Sequence, residues 1–313
     1  MSAKTIYMTP VPRWTFGAYT FSNGVSIVPR PDVDALRLTS FASLSQHEVD
    51  EIKRSVFWMA IECPRETPFP EKREKVRTLL NTVYSIQIVS PTGWSGVIAG
   101  LGENIDAQFD HLDQFLFCAP SKLATGLDQS DLNTISKIVD GVHEAFRRKI
   151  VRIQTPAQLL IQGQQTRQYY ISLLLWTIAL DALMAAASEE AFSARLTAFI
   201  GRDEYIFPED KLGFQAEYKV GDVVKDIYVL RGILAHGNQI PEKFWKEDVG
   251  FKIADRRYGI RLDPWSDWSY AAVLAECSLF LLCATLRKIL LKPSFMNIVG
   301  TSSWESYLES LIK

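Results

Sequence analysis

The sequence predicts an α+β protein. An N-terminal mixed α/β domain with a β-hairpin occupies residues 1–150, and an antiparallel helical bundle occupies residues 151–313. Three observations lead there. A turn signal, Ser22-Asn23-Gly24, lies between two strand-like runs. Apolar residues recur at helical spacing through most of the second half. Two long apolar runs, Ile171 to Ala187 and Tyr270 to Leu286, are each broken by a single acid, Asp181 and Glu276. Helices apolar on nearly every side must be covered all round, by other helices, a second domain or another subunit.

In order along the chain, WTFGAYTF and VSIVPR flank the turn, and Asn-Gly is suited to the positive φ angles of a tight hairpin. The aromatics Trp14, Phe16 and Tyr19 alternate there, a pattern that fits a core better than a base-stacking platform. From Ser45 to about Ile61 the spacing predicts a helix, with Ser45 and Glu48 as a capping box and Val49, Ile52, Val56 and Met59 on one stripe. Residues 63–75, with Pro64, Pro68 and Pro70, read as a polar connector. VYSIQIVSP alternates like a strand, and Gly93 to Asn104 reads as a glycine-rich loop or short strand. That stretch matches neither phosphate-binding glycine pattern.

Leu132, Ile135, Val139, Val142 and Phe146 define an amphipathic helix from Ser130 to Ile150, with Arg147, Arg148 and Lys149 at the end where a cation is favoured. Thr155 and Pro156 then read as the cap and first-turn proline of a long helix to Ala187. A helix from Glu189 to Phe199, a polar loop, a helix from Val220 to His236, a long connector, a helix to Leu291 and a small terminal helix complete the bundle.

Composition narrows the chemistry. With 47% hydrophobic and 22% charged residues and a net charge of −2, the chain reads as an ordinary globular protein with no global basic field for nucleic acid, although a local basic cleft stays possible. Cys63, Cys118, Cys277 and Cys283 have no C-x-x-C spacing, which points to reduced thiols and no zinc site. Asp110, His111 and Asp113 are too close in sequence to share one ion, so no metal and no cofactor is expected. His47 and His143 sit on polar helix faces. The first residues lack a signal-peptide pattern and both apolar runs are short for a membrane span, so the expectation is a cytoplasmic protein with no membrane partner.

Two residues stand out. In VVKDIYVLRGILAHGNQIP, Arg231 falls within the stripe of Val220, Val223, Val224, Ile227, Leu230 and Leu234. A guanidinium there must pair with a carboxylate, line a polar cleft or contact an anion. His236 follows five residues later, about 140° away on an ideal helix, just before the stop signals Gly237, Asn238 and Pro241. Two readings stay open: Arg231 pairs with a core acid while His236 caps the helix end, or a frayed last turn lets the imidazole swing back toward Arg231. Asp181, the lone acid of its apolar run, is the natural partner for Arg231.

The order of WTIALDALM, SARLTAFIGRDE, VGDVVKDIYVLRGILAHG and a last amphipathic helix, over roughly residues 155–292, resembles the HEPN superfamily, most closely its ApeA-like branch. The resemblance implies a bundle that forms a homodimer and a metal-independent endoribonuclease acting in antiviral defence or stress. It implies Arg231, His236 and Asp181 as catalytic residues, RNA or nucleotide as ligand, and a regulatory or antitoxin partner. Arginine grips phosphate oxygens, histidine exchanges protons near neutral pH, and the aspartate would orient the arginine. One departure matters. The position after the arginine, commonly polar in active members, is Gly232, which leaves open a non-catalytic module that binds nucleotide or RNA or only dimerises.

Overall fold

A computed structural model of the chain describes residues 4–11, 14–30, 54–64, 66–91, 94–96, 99–102, 116–118, 127–166, 168–207, 217–246 and 269–313. Within them the protein is mixed α+β. It divides into two compact units, Met1–Pro120 with Gly126–Glu144, and Ser121–Thr125 with Ala145–Lys313.

The first unit is built on strands β1 (Lys4–Pro10), β2 (Tyr19–Thr20), β3 (Ser26–Pro29), β4 (Phe57–Pro64) and, after helix α1 (Phe69–Val89), β5 (Trp94–Gly96), β6 (Ala99–Gly102) and β7 (Leu116–Cys118). The main sheet has the order β2-β3-β4-β1-β6, and β5 pairs with β7 separately. All pairings among these strands are antiparallel.

The hairpin forms where the turn signal lies, with Tyr19 opposite Ile27 and Thr20 opposite Ser26. Only Gly24 takes the positive φ, +83°. The Gly24 N–H donates to Phe21 O at 3.0 Å and the Phe21 N–H to Val25 O at 2.8 Å, a three-residue loop with glycine at its left-handed position. The neighbouring aromatics pack as a cluster, with Trp14 buried and edge-on to Phe16 and Phe21.

Three sequence expectations in this unit fail, two of them through the ambiguity of short apolar runs. The helix expected from Ser45 to Ile61 is overturned at its C-terminal end: Phe57 to Ile61 belong to β4, and Val56 is exposed. Ser45, Glu48, Val49 and Ile52 lie outside the described residues. Trp58, Met59, Ala60 and Ile61 are consecutive buried residues, as a strand between β3 and β1 covered on both faces requires. The expected strand VYSIQIVSP is instead the last part of α1, whose stripe Val76, Leu79, Val83 and Ile86 is buried at helical spacing. That helix also takes up much of the expected connector, since Pro68 and Pro70 stand at its start, where a missing N–H costs little. Its buried hydroxyls satisfy themselves, Thr82 donating to Thr78 O and Ser85 to Asn81 O.

Helix α2 (Gln129–Arg147) carries Leu132, Ile135, Val139 and Val142 buried on one face. Hydrogen bonds from the hairpin hold it: Tyr19 Oη with Ser136 Oγ at 2.8 Å, and Ser22 Oγ to Asp140 Oδ1 at 2.9 Å. His143 Nδ1 meets Asn81 Nδ2 of α1 at 3.4 Å. The motif at Asp110, His111 and Asp113, and His47, lie outside the described residues.

In the second unit, the long helix expected from Pro156 to Ala187 is two helices, α3 (Val151–Gln165) and α4 (Tyr169–Met184). Pro156 lies inside α3 and does not open it. The pair is antiparallel: Trp176 Nε1 donates to Leu160 O at 3.1 Å, and Ser172 Oγ to Gly163 O at 2.8 Å. Gly163 is required there, because any Cβ would overlap the Trp176 indole. Helix α5 (Glu189–Ile200) is capped by Ser188 and followed by a short hairpin, β8 (Tyr205–Phe207) with β9 (Glu217–Lys219), in a stretch expected to be loop. Helix α6 (Val220–Ala235), a 3-10 turn (Glu242–Phe244), α7 (Tyr270–Leu290), α8 (Pro293–Ile298) and α9 (Ser302–Ser310) complete the bundle.

Helix α4 packs against α3, α5, α6 and α7. Residues 171–187 are apolar nearly all round because helices surround most of them. Trp304 of α9 is fully buried and donates its indole N–H to Leu183 O at 2.6 Å. Among the described residues, no single helix is long and apolar enough to cross a membrane.

Candidate functional site

Helix α6 buries Val220, Val223, Val224, Ile227 and Leu230, with Leu234 only half-buried. Arg231 lies at the edge of that stripe, its side chain 27% exposed, and Asp181 of α4 is 20% exposed. The two meet as the sequence suggested, Arg231 Nη2 to Asp181 Oδ2 at 3.7 Å. That is an ion pair and too long for a hydrogen bond. The guanidinium also lies over the Tyr228 ring, 5.3 Å from its centre, and Tyr228 in turn packs on Phe192.

Each partner keeps unmet capacity. Arg231 Nε and Asp181 Oδ1 are buried and have no hydrogen-bond partner among the described residues. Burial pushes the Asp181 carboxyl above its ordinary value, and the nearby Arg231 charge only partly offsets it.

The helix end that presents Asp181 is firmly held. Ala185 closes α4 in the left-handed conformation, at φ +50°. Arg195 donates from Nη1 to Met184 O at 3.1 Å and to Ala185 O at 2.5 Å, and its Nη2 reaches Glu309 at 3.2 Å. These carbonyls would otherwise be the orphan acceptors of a helix terminus.

His236 occupies the cap of α6, and its turn is not frayed. The Asn238 N–H donates to Ile233 O at 3.0 Å and the Gly237 N–H to Leu234 O at 3.2 Å, with Gly237 at φ +66°. This is a Schellman closure, with glycine at the left-handed position. The His236 side chain is exposed, and among the described residues its ring makes no hydrogen bond or ion pair. The structure therefore unites Arg231 with Asp181 and leaves His236 apart, in solvent. Beside Arg231, the space where a Gly232 side chain would project is empty.

Asp181 also lines a cleft of about 870 Å³ that sequence reasoning missed. Its walls are the α2–α3 corner at residues 148–152, the last turns of α4 from Ile178 to Ala186, and the α8–α9 junction from Met296 to Thr301. By sequence position Arg148 and Lys149 are ordinary helix-end charges. The overlooked signal was RRKIVR: because α3 starts at Val151, directly after α2, the cations of both helices gather at one corner. Among the described residues, no group of three or more His, Cys, Asp or Glu is placed to hold a metal ion.

Comparison of the chain with protein-family models, curated proteins and solved structures returned no match.

Proposed function

We propose that the chain is a metal-independent endoribonuclease of HEPN type, with Arg231 and His236 as catalytic residues and Asp181 as the residue that orients Arg231. The observation that carries this reading is the Arg231–Asp181 pair, a half-buried guanidinium fixed by a carboxylate at 3.7 Å with its Nε still unpaired. A guanidinium so held is prepared to bind phosphate oxygens as charge builds on them. The imidazole takes the proton from a ribose 2′-hydroxyl. The 2′-oxygen attacks phosphorus, the bond to the 5′-oxygen breaks, and that oxygen receives a proton, giving a 2′,3′-cyclic phosphate and a free 5′-hydroxyl. A homodimer would supply a second imidazole for the other proton transfer, which suits a His236 that is exposed and has no partner among the described residues.

The test is incubation of the full chain with mixed RNA in excess chelator, with Arg231→Ala and His236→Ala in parallel. Wild type releases cyclic-phosphate ends, and each variant slows release by about 100-fold or more. Gly232→Asn, whose side chain enters open space, keeps the fold and raises the rate. Cleavage that persists in His236→Ala rejects the mechanism.

Two observations favour a second reading, a non-catalytic module that binds RNA or nucleotide or only dimerises: the separation of His236 from the Arg231–Asp181 pair, and the missing side chain at Gly232. RNA bound but left intact by the wild type supports it.

A further inference from the structure

The cleft beside Asp181 has a pronounced division of character. At the α2–α3 corner stand three cations, Arg148, Lys149 and Arg152. Among the described residues, the Arg148 and Lys149 side chains make no hydrogen bond or ion pair. Arg152 gives Nη2 to Glu305 at 3.2 Å, yet its Nη1 is buried with no partner among the described residues. Helix α3 begins at this corner with no side-chain cap and no acid in its first turn, so its positive end adds to the same field. Among the described residues only Arg152 of the three cations is paired with an acid, and like charges gathered in this way repel one another, an arrangement that an anion stabilises.

The remaining lining sets Thr155, Asp181, Asn297 and Thr301 beside an apolar stretch. Ile178 is 43% exposed and Val151 is 66% exposed, and Ala182, Ala186 and Met296 stand with them. Small residues along the end of α4 leave the volume open. At about 870 Å³ the cleft falls within the range that holds a small molecule.

We infer that this cleft binds a small phosphorylated ligand, a phosphomonoester whose phosphate sits at Arg148, Lys149 and Arg152 and whose flat or apolar body lies against Ile178 and Ala182. The inference does not depend on RNA cleavage, because neither Arg231 nor His236 lines the cleft.

Isothermal titration of the full chain with adenosine 5′-monophosphate, phenyl phosphate, inorganic phosphate and adenosine tests it. The two phosphomonoesters bind at about 1 mM or tighter, while inorganic phosphate and adenosine, each lacking half of the ligand, bind at least about tenfold more weakly. Arg148→Ala with Lys149→Ala weakens adenosine monophosphate by about tenfold or more. Arg73→Ala with Lys75→Ala, the same charge loss on exposed α1 positions, changes it less than about twofold. Ala182→Leu, which fills the floor, weakens both phosphomonoesters with the net charge unchanged. His236→Ala leaves binding intact, so a failed cleavage assay and a failed binding assay are separate results. The proposal is overturned if neither phosphomonoester binds at about 5 mM, if both double variants lose affinity equally, or if long RNA binds the corner and the small ligands do not.

Discussion

The two units differ in where their unmatched polar groups lie. In the sheet unit, polar side chains join elements, Asn23 donating to Thr82 at 2.8 Å and Tyr19 meeting Ser136 at 2.8 Å, and the buried Thr9 Oγ1 and Asn81 Oδ1, which have no partner among the described residues, line no cleft described above. In the helical unit, Asp181, Arg231 and Arg152 each retain a buried polar atom with no partner, and Asp181 and Arg152 line one cleft. Satisfied polar contacts hold a fold together. Unsatisfied ones, grouped around a concavity, mark where a ligand would complete them.

The contrast can be broken experimentally. The largest effect is expected at Trp304, a satisfied polar anchor within the helical unit. Trp304→Ala removes a fully buried ring and the hydrogen bond to Leu183, and should cost about 3–5 kcal/mol in urea denaturation. Next is Arg231→Ala, which leaves the Asp181 carboxylate without its cation. Because both side chains keep contact with water, the loss should be about 1–2 kcal/mol, well below that for a fully buried pair. A larger loss would make Arg231 chiefly structural. Asn23→Ala, which breaks one hairpin-to-α1 hydrogen bond, should cost about 1 kcal/mol by the same measurement.

The smallest effect is a pH dependence. The folded Asp181 carboxyl binds its proton more tightly than the unfolded one, whose ordinary value is 3.8. Its contribution to stability is therefore greatest below that value and declines as pH rises through the raised folded value. Asp181→Asn removes this dependence, so the variant should gain on the wild type across that window and run parallel to it above. A difference constant with pH would show that Asp181 titrates normally. Thiol labelling offers a separate check on the packing of α7. Cys283, whose thiol burial pushes up to about 12, should stay unreactive at neutral pH until the chain unfolds.

Long periodic patterns were the most legible in the sequence. The hairpin turn, the stripe on α2, the extent of α5 to within one residue and the stop of α6 at Gly237 all follow from spacing, because a local rule decides each of them. The pairing of Asp181 with Arg231 was legible too, since an isolated acid and an isolated cation in apolar helices each need a counterpart.

Tertiary structure alone decided the rest. FWMAI became the strand β4 because β1 and β3 pair with it along both edges, and no local preference distinguishes a buried strand from a buried helix. The long helix expected from Pro156 is two, ending at Gln165 and starting again at Tyr169, because Gly163 and Trp176 fit against each other only if the chain turns back. The cleft at Arg148, Lys149 and Arg152 depends on where two helix ends and the small residues of α4 meet, a relation between distant segments. Spacing identifies which side chains need a partner. Only packing determines which of them are left waiting for one, because burial and empty space belong to the assembled fold and not to any single stretch of the chain.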